Sequence, residues 1–177
     1  KRYTPETVLF DAETEFSTQC TVEGKPKNPT DDPTKICYSP DEYDHVFEGP
    51  LTIRQALAQS RNVPAVKALY LAGIGNALQT AEDMGITGLN DPNRYGLTLV
   101  LGGGEVSLLD LTSAYGVFAN DGMRNPYRSI LRVEDSKGTI LESVPDTVSP
   151  TQALEPEIAR QISSILSDTS VRMEILK

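Results

Sequence analysis

Ser60 and Asn62, one residue apart in the run Gln59-Ser60-Arg61-Asn62-Val63-Pro64, are the polar pair whose types and spacing could do chemistry in this chain. A serine hydroxyl attacks only beside a base that takes its proton, and it needs donors for the oxyanion that then develops. No base accompanies Ser60 in sequence. His45 is the single histidine and lies in a polar, acidic stretch that reads as solvated surface. No serine sits in a Gly-x-Ser-x-Gly elbow, so a hydrolase using Ser60, Ser107 or Ser113 as nucleophile is the weakest reading. Taken alone, a serine ending one helix and an asparagine opening the next is ordinary capping. Gly102-Gly103-Gly104-Glu105 lacks the Lys-Ser/Thr of a phosphate loop and reads as a glycine turn entering a helix. Asp41, Glu42, Asp44 and Glu48 do not follow the EF-hand spacing and read as a solvated acidic face. The sequence assigns no residue to a metal and calls for no cofactor.

The elements that must position Ser60 and Asn62 are legible locally. Thr52 with Gln55 three residues on makes a capping box, and Ile53, Ala56 and Leu57 share one face, so a short helix runs to about Ser60. Asn62 caps the next helix, which tolerates Pro64 in its first turn, buries Ala65, Val66, Leu69 and Ala72, and ends at Gly73. A third helix runs from about Asn76 to Met84 with Leu78, Ala81 and Met84 inward, closed by Gly85. Ser107 and Asp110 form a second capping box. It opens a core helix through Leu108, Leu111, Thr112, Tyr115 and Phe118 that stops at Asn120-Asp121-Gly122. Residues 128–142 then change period, and the Gly138 turn makes them a β-hairpin. Pro156 opens a last helix with Ile158, Ile162, Ile165 and Leu166 on one face. The segment 20–48 is long for a connection without regular structure, so it is either tied down or mobile.

Composition narrows the partners. A chain of 177 residues with 38% apolar residues can bury one domain core. A formal charge of −9 excludes nucleic acid and anionic membrane surfaces as partners, since both call for a basic patch. No stretch approaches the ~20 apolar residues that span a bilayer, and no signal peptide stands at the N-terminus, so any membrane anchor lies outside this chain. Cys20 and Cys37 are the only cysteines. Their spacing matches neither a zinc site nor a redox pair, and sequence alone leaves open whether they are two thiols or a bridge. A bridge would stabilise by roughly 3 kcal/mol and would require an oxidising compartment such as the cell envelope.

Around Ser60-Arg61-Asn62, the run Gly49 to Lys67 resembles the transpeptidase domain of class A penicillin-binding proteins, in which Ser-x-Asn is the second of three active-site motifs. Tyr3-Thr4-Pro5-Glu6-Thr7-Val8 is similar to the stretch after the family's nucleophile helix, and Tyr38-Ser39-Pro40-Asp41-Glu42-Tyr43 to the approach to Ser-x-Asn. The most specific string is Tyr95 to Gly116, Tyr-Gly-Leu-Thr-Leu-Val-Leu-Gly-Gly-Gly-Glu-Val-Ser-Leu-Leu-Asp-Leu-Thr-Ser-Ala-Tyr-Gly. Ile162 to Asp168 is similar to the helix that enters the family's Lys-Thr-Gly strand. The other two motifs are missing. No serine precedes a lysine by three residues, and Lys137-Gly138-Thr139 carries the letters of Lys-Thr-Gly in the wrong order.

The resemblance implies an α+β, helix-rich chain, a partial penicillin-binding protein/serine β-lactamase-like fold made mainly of the helical lobe plus a β-hairpin. Residues 1–177 would form a single partial transpeptidase domain. The implied chemistry is cross-linking of peptidoglycan stem peptides through a serine acyl-enzyme, with β-lactams as mimics of the D-Ala-D-Ala end. Ser60 would relay a proton and Asn62 would hold the substrate backbone. Lacking nucleophile and base, the chain alone would be inactive. It would work at the outer face of the cytoplasmic membrane within a larger protein. Its partners would be stem peptide, β-lactams and the remainder of the domain, and the faces left bare would favour self-association. The alternative is a non-catalytic binding or scaffold module of the bacterial cell envelope.

Overall fold

A computed structural model of the chain describes residues 3–89, 91, 93–143 and 149–172. The architecture is α+β and helix-rich, and among the described residues its strands pair only in twos, all antiparallel. The chain divides into two compact units, one made of Lys1–Ile74, Tyr95–Gly103 and Ile165–Lys177, the other of Gly75–Arg94 and Gly104–Ser164.

In the first unit, strand β1 (Val8–Asp11) comes first and helix α1 (Pro33–Ile36) follows. Strand β2 (Gly49–Thr52) then pairs with β1 in the register Val8 to Thr52 and Asp11 to Gly49. Helix α2 (Ile53–Ala58) leaves β2 directly. The expected box is there: Thr52 Oγ1 accepts from Gln55 N, and the Gln55 side chain accepts from Thr52 N. The N-terminal strap adds to it, because Ile53 N donates to Thr7 O at 2.9 Å and Arg54 N to Pro5 O at 2.9 Å. Helix α3 (Asn62–Ala72) buries Val63, Pro64, Val66 and Leu69 and ends at Gly73 in a left-handed turn. Its inward stripe is thus rotated from the expected one: Ala72 is exposed and Ala65 half-buried. A 3₁₀ helix over Leu97–Leu101 packs on α3 and stops at Gly102, so the triple glycine ends an element here, and Gly103 N returns to Thr98 O.

Segment 20–48 is fastened at several points. Cys20 and Cys37 form a disulfide. Glu15 accepts hydrogen bonds from Ser17 N, Tyr38 N and the Ser39 hydroxyl at 2.7, 2.8 and 2.8 Å. Burial pushes the Glu15 carboxyl up, but those donors outweigh it and hold the group below its ordinary range.

The second unit holds helix α4 (Ile74–Asp83) from Gly75 onward, then helix α5 (Leu108–Ala119) and the two-residue strand β3 (Met123–Arg124). Strands β4 (Arg132–Glu134) and β5 (Ile140–Ser143) form a hairpin with an irregularity at Val133/Glu134, closed by Asp135 accepting from the Lys137 and Thr139 amides. Strand β6 (Thr151–Gln152) pairs with β3, and helix α6 (Pro156–Leu166) follows. The core gathers Met84, Ala114 and Val117, with Ile86, Phe118, Ala153 and Leu154 packed around them. Gly122 sits where a side chain has no room, with a positive φ of 82° and a Cβ position that would overlap the Leu154 carbonyl. A last short helix, α7 (Thr169–Arg172), returns to the first unit, where Arg54 lies 3.6 Å from Asp168.

Helix α5 corrects one expectation. It was to be a core helix with Leu108, Leu111 and Tyr115 inward, yet Leu108 is 81% exposed and Leu111 and Tyr115 also face solvent, while Ala114 and Val117 are buried. The capping box is half made. Ser107 Oγ accepts from Asp110 N, but the Asp110 carboxylate turns away and takes Thr87 N and Thr87 Oγ1 at 3.2 and 2.8 Å. The α6 stripe differs likewise: Ile165 is buried and Ile158 is exposed.

Candidate functional site

The seam between α2 and α3 is built by a helix ending that normally uses glycine. Ser60 N donates to Leu57 O at 3.2 Å and Arg61 N to Ala56 O at 2.9 Å, the paired bonds of a Schellman turn. That turn requires a left-handed residue, and Ser60 supplies it with φ 56°. A non-glycine residue there is strained by about 1–2 kcal/mol. In return the Ser60 side chain stands exposed, and its hydroxyl makes no hydrogen bond among the described residues.

Asn62 is not the cap that the sequence suggested. It is the first residue of α3, and its side-chain amide donates to Asp41 O at 2.8 Å. The cap is Glu42, twenty residues upstream, whose two carboxylate oxygens accept from Asn62 N and Val63 N at 2.7 Å each. A carboxylate there also meets the positive end of the helix dipole. Burial pushes the Glu42 carboxyl up and neighbouring Asp11 adds to that, while the Val63 and Asn62 amides pull it down.

Arg61, the residue between the pair, points the other way. Its side chain is 7% exposed, and Asp11 beside it is fully buried. Arg61 Nε and Nη2 lie 3.0 and 2.9 Å from Asp11 Oδ2, Nη1 lies 3.0 Å from Asp44 Oδ2, and Nη2 also donates to Val46 O. Glu42 stands 3.6 Å from the guanidinium and Glu48 4.0 Å. Asp11 Oδ2 additionally accepts from Glu48 N at 3.1 Å. The Arg61 hydrogen bond holds the Asp44 carboxyl below its ordinary range. The acidic stretch read as a solvated face is therefore wrapped around a buried cation, and Glu42 is only 2% exposed. The other three acids of that stretch keep the surface expected of them: Asp44 and Glu48 reach the guanidinium from exposed positions, and Asp41 pairs with the exposed His45.

Sequence reasoning placed Ser60 and Asn62 side by side but missed Arg61, Asp11 and Glu42. One signal was available. A cation preceding a helix whose first turn has no acid opposes the helix dipole, so an anion from elsewhere must stand near it.

Chemically, the seam offers an exposed hydroxyl and a side-chain amide on a rigid base. No histidine, lysine or carboxylate hydrogen-bonds Ser60 among the described residues. Glu15, Cys20 and Cys37 lie close enough to group around an ion, but both sulfurs are spent in the disulfide.

No family model matches the chain. Over 111 residues it is 35% identical to penicillin-binding protein 1A/1B of Bacillus subtilis, an alignment covering 61% of this chain and 12% of that protein. Over 139 residues it is 31% identical to penicillin-binding protein 1A of Neisseria lactamica, covering 77% of this chain and 17% of that protein. The chain is homologous to penicillin-binding protein 1A. It spans only 12% to 17% of the length of these relatives. Its fold is likewise that of solved penicillin-binding protein 1A from Haemophilus influenzae, with a TM-score of 0.69 at 22% identity over 93% of this chain and 26% of that one. The D,D-transpeptidase domain of a peptidoglycan glycosyltransferase from Eggerthella lenta matches with a TM-score of 0.62 at 14% identity, over 92% of this chain and 42% of that one. This homologue contains no helix, among the described residues, long and apolar enough to cross a membrane.

Proposed function

We propose that the chain is the central part of a serine D,D-transpeptidase domain, in which Ser60 and Asn62 assist a nucleophile and a base carried elsewhere in a longer polypeptide. The observation that carries this reading is the strained, outward Ser60 hydroxyl beside the Asn62 amide in a homologue of penicillin-binding protein 1A. Strain held in place by surrounding structure is characteristic of working sites. The fold likeness to a D,D-transpeptidase domain over nearly the whole chain favours this part of the relatives over their glycosyltransferase part.

In this reading a serine outside the chain attacks the penultimate D-Ala carbonyl of a stem peptide. Its Oγ–C bond forms, the amide C–N bond breaks, and the terminal D-Ala departs. The Ser60 hydroxyl passes a proton from the base lysine to the departing nitrogen, and Asn62 holds the substrate backbone. A second stem's amine then resolves the ester as a cross-link. The remainder of the domain covers the bare apolar face of α5, and the Cys20–Cys37 bridge suits the oxidising side of the cytoplasmic membrane.

The test is incubation of the longest natural polypeptide containing this chain with labelled penicillin, followed by mapping of the acylated residue. A serine upstream of Lys1 as the acylated site, with acylation slowed in Ser60→Ala and Asn62→Ala, bears the proposal out. An adduct on Ser60 itself refutes the assisting role, and no adduct at all shifts the reading to a non-catalytic module of the cell envelope.

A further inference from the structure

The three residues of the Ser60-Arg61-Asn62 seam differ in direction: the Ser60 side chain is exposed, the Arg61 guanidinium is buried, and the half-buried Asn62 turns its amide to the Asp41 carbonyl. All three guanidinium nitrogens are engaged. They reach two segments that precede the seam by 50 and 15 to 17 residues, namely Asp11 at the end of β1, and Asp44 with Val46 in the 41–48 segment. That same segment holds the seam from outside, through Glu42 on the Asn62 and Val63 amides and the Asp41 carbonyl on the Asn62 side chain. Ser60 has no side-chain tether of its own among the described residues, so its direction is set by the turn behind it and by whatever fixes residue 61.

The geometry points to Arg61 as a positioning residue: held by Asp11, Asp44 and the Val46 carbonyl, it clamps the α2–α3 seam so that the Ser60 hydroxyl and the Asn62 amide keep one spacing and one direction toward substrate. This rests on the function proposed above. The middle residue of the motif is then a specific fork rather than a spacer. A planar guanidinium can bind Asp11 along one edge while its other end reaches Asp44. A lysine ammonium at the same depth is a point charge that must choose between them. Such a seam tolerates little slack, since displacement of a reacting group by about 1 Å can slow a reaction by about a hundredfold.

The experiment measures the acylation rate constant at saturating fluorescent penicillin, and separately the penicillin concentration for half-saturation. It uses the full-length protein and its Arg61→Lys and Asp44→Asn variants, well below their melting temperatures. Arg61→Lys keeps the buried positive charge, and Asp44→Asn loosens one arm of the fork at a half-exposed partner without stranding a buried charge. The expected result is a fall in the rate constant of about tenfold or more for Arg61→Lys and of about threefold for Asp44→Asn, in proteins that still melt cooperatively. A purely structural Arg61 would lower the melting temperature and leave the rate constant of the folded protein unchanged. Unchanged rate constants overturn this inference alone, and should Arg61→Lys not fold, an unchanged rate in Asp44→Asn does so by itself. Absence of an adduct on the unsubstituted protein overturns the transpeptidase reading and this inference with it.

Discussion

Replacing Ser60 by glycine should make the protein more stable and the proposed active site worse. Ser60 holds φ 56° because the α2 ending demands a left-handed residue there. For an L-residue that conformation is strained by about 1–2 kcal/mol. Glycine removes the strain but brings back about 0.5–1 kcal/mol of backbone entropy, which leaves a net gain between zero and about 1.5 kcal/mol, centred on about 0.75 kcal/mol. Nothing else offsets it, because the Ser60 hydroxyl has no hydrogen bond to lose among the described residues. For a chain of this size that central gain corresponds to a rise of about 1–4 °C in melting temperature. Ser60→Ala keeps the strain and should stay within about 0.5 kcal/mol of the parent. The assay is urea unfolding of the three proteins side by side, with equal slopes confirming that only stability changed. Penicillin acylation of the full-length forms should fall in both variants. A Ser60→Gly protein that unfolds at lower urea than Ser60→Ala would show that the turn is not strained and refute the reasoning.

Three further outcomes follow from the geometry. Reducing the Cys20–Cys37 bridge should lower stability by about 3 kcal/mol, visible as a drop in melting temperature on adding a reductant and absent in a Cys20→Ser/Cys37→Ser protein. Gly122→Ala should destabilise by more than about 1 kcal/mol, because a positive φ and an overlap with the Leu154 carbonyl act together; urea unfolding measures it, and a neutral substitution would contradict the packing described. The Asp110 carboxyl lies below its ordinary range, chiefly because the Thr87 amide donates to it, so its contribution is present above the ordinary aspartate range and is lost as pH falls through the folded-state value. Asp110→Asn should therefore flatten the acid limb of the stability–pH curve, and an unchanged limb would show that the Thr87 contact is not formed.

What could be read from sequence was whatever closes within a few residues. The Thr52–Gln55 box and the Gly73 stop are contacts of a single turn, and they stand as expected. The grip on Arg61 joins positions 50 residues apart, and the Glu42 cap positions 20 apart, so residue type alone could not separate the buried Glu42 from the exposed acids around it. Helix α5 failed for a different reason. Apolar residues stand on several sides of it, so periodicity permits more than one inward face, and the structure buries the face carrying Ala114 and Val117. At the site, Ser60 and Asn62 were legible as a spacing, but the inward turn of the residue between them depends on partners that no local pattern names.

The order of the chain matters to how the seam comes into being. Asp11, Glu42, Asp44 and Glu48 all precede Arg61, so during synthesis from the N-terminus the anions exist before their cation. Until Arg61 and the first turn of α3 arrive, Asp11 and Glu42 have no reason to leave water, and β1 and the 41–48 segment have nothing to close around. Loop closure over that separation must come before any of these contacts is gained, so the seam belongs to the late, long-range part of folding, although α2 carries its own cap. A nascent chain halted before residue 61 would therefore expose the acidic segment to proteases, and one halted beyond α3 would protect it.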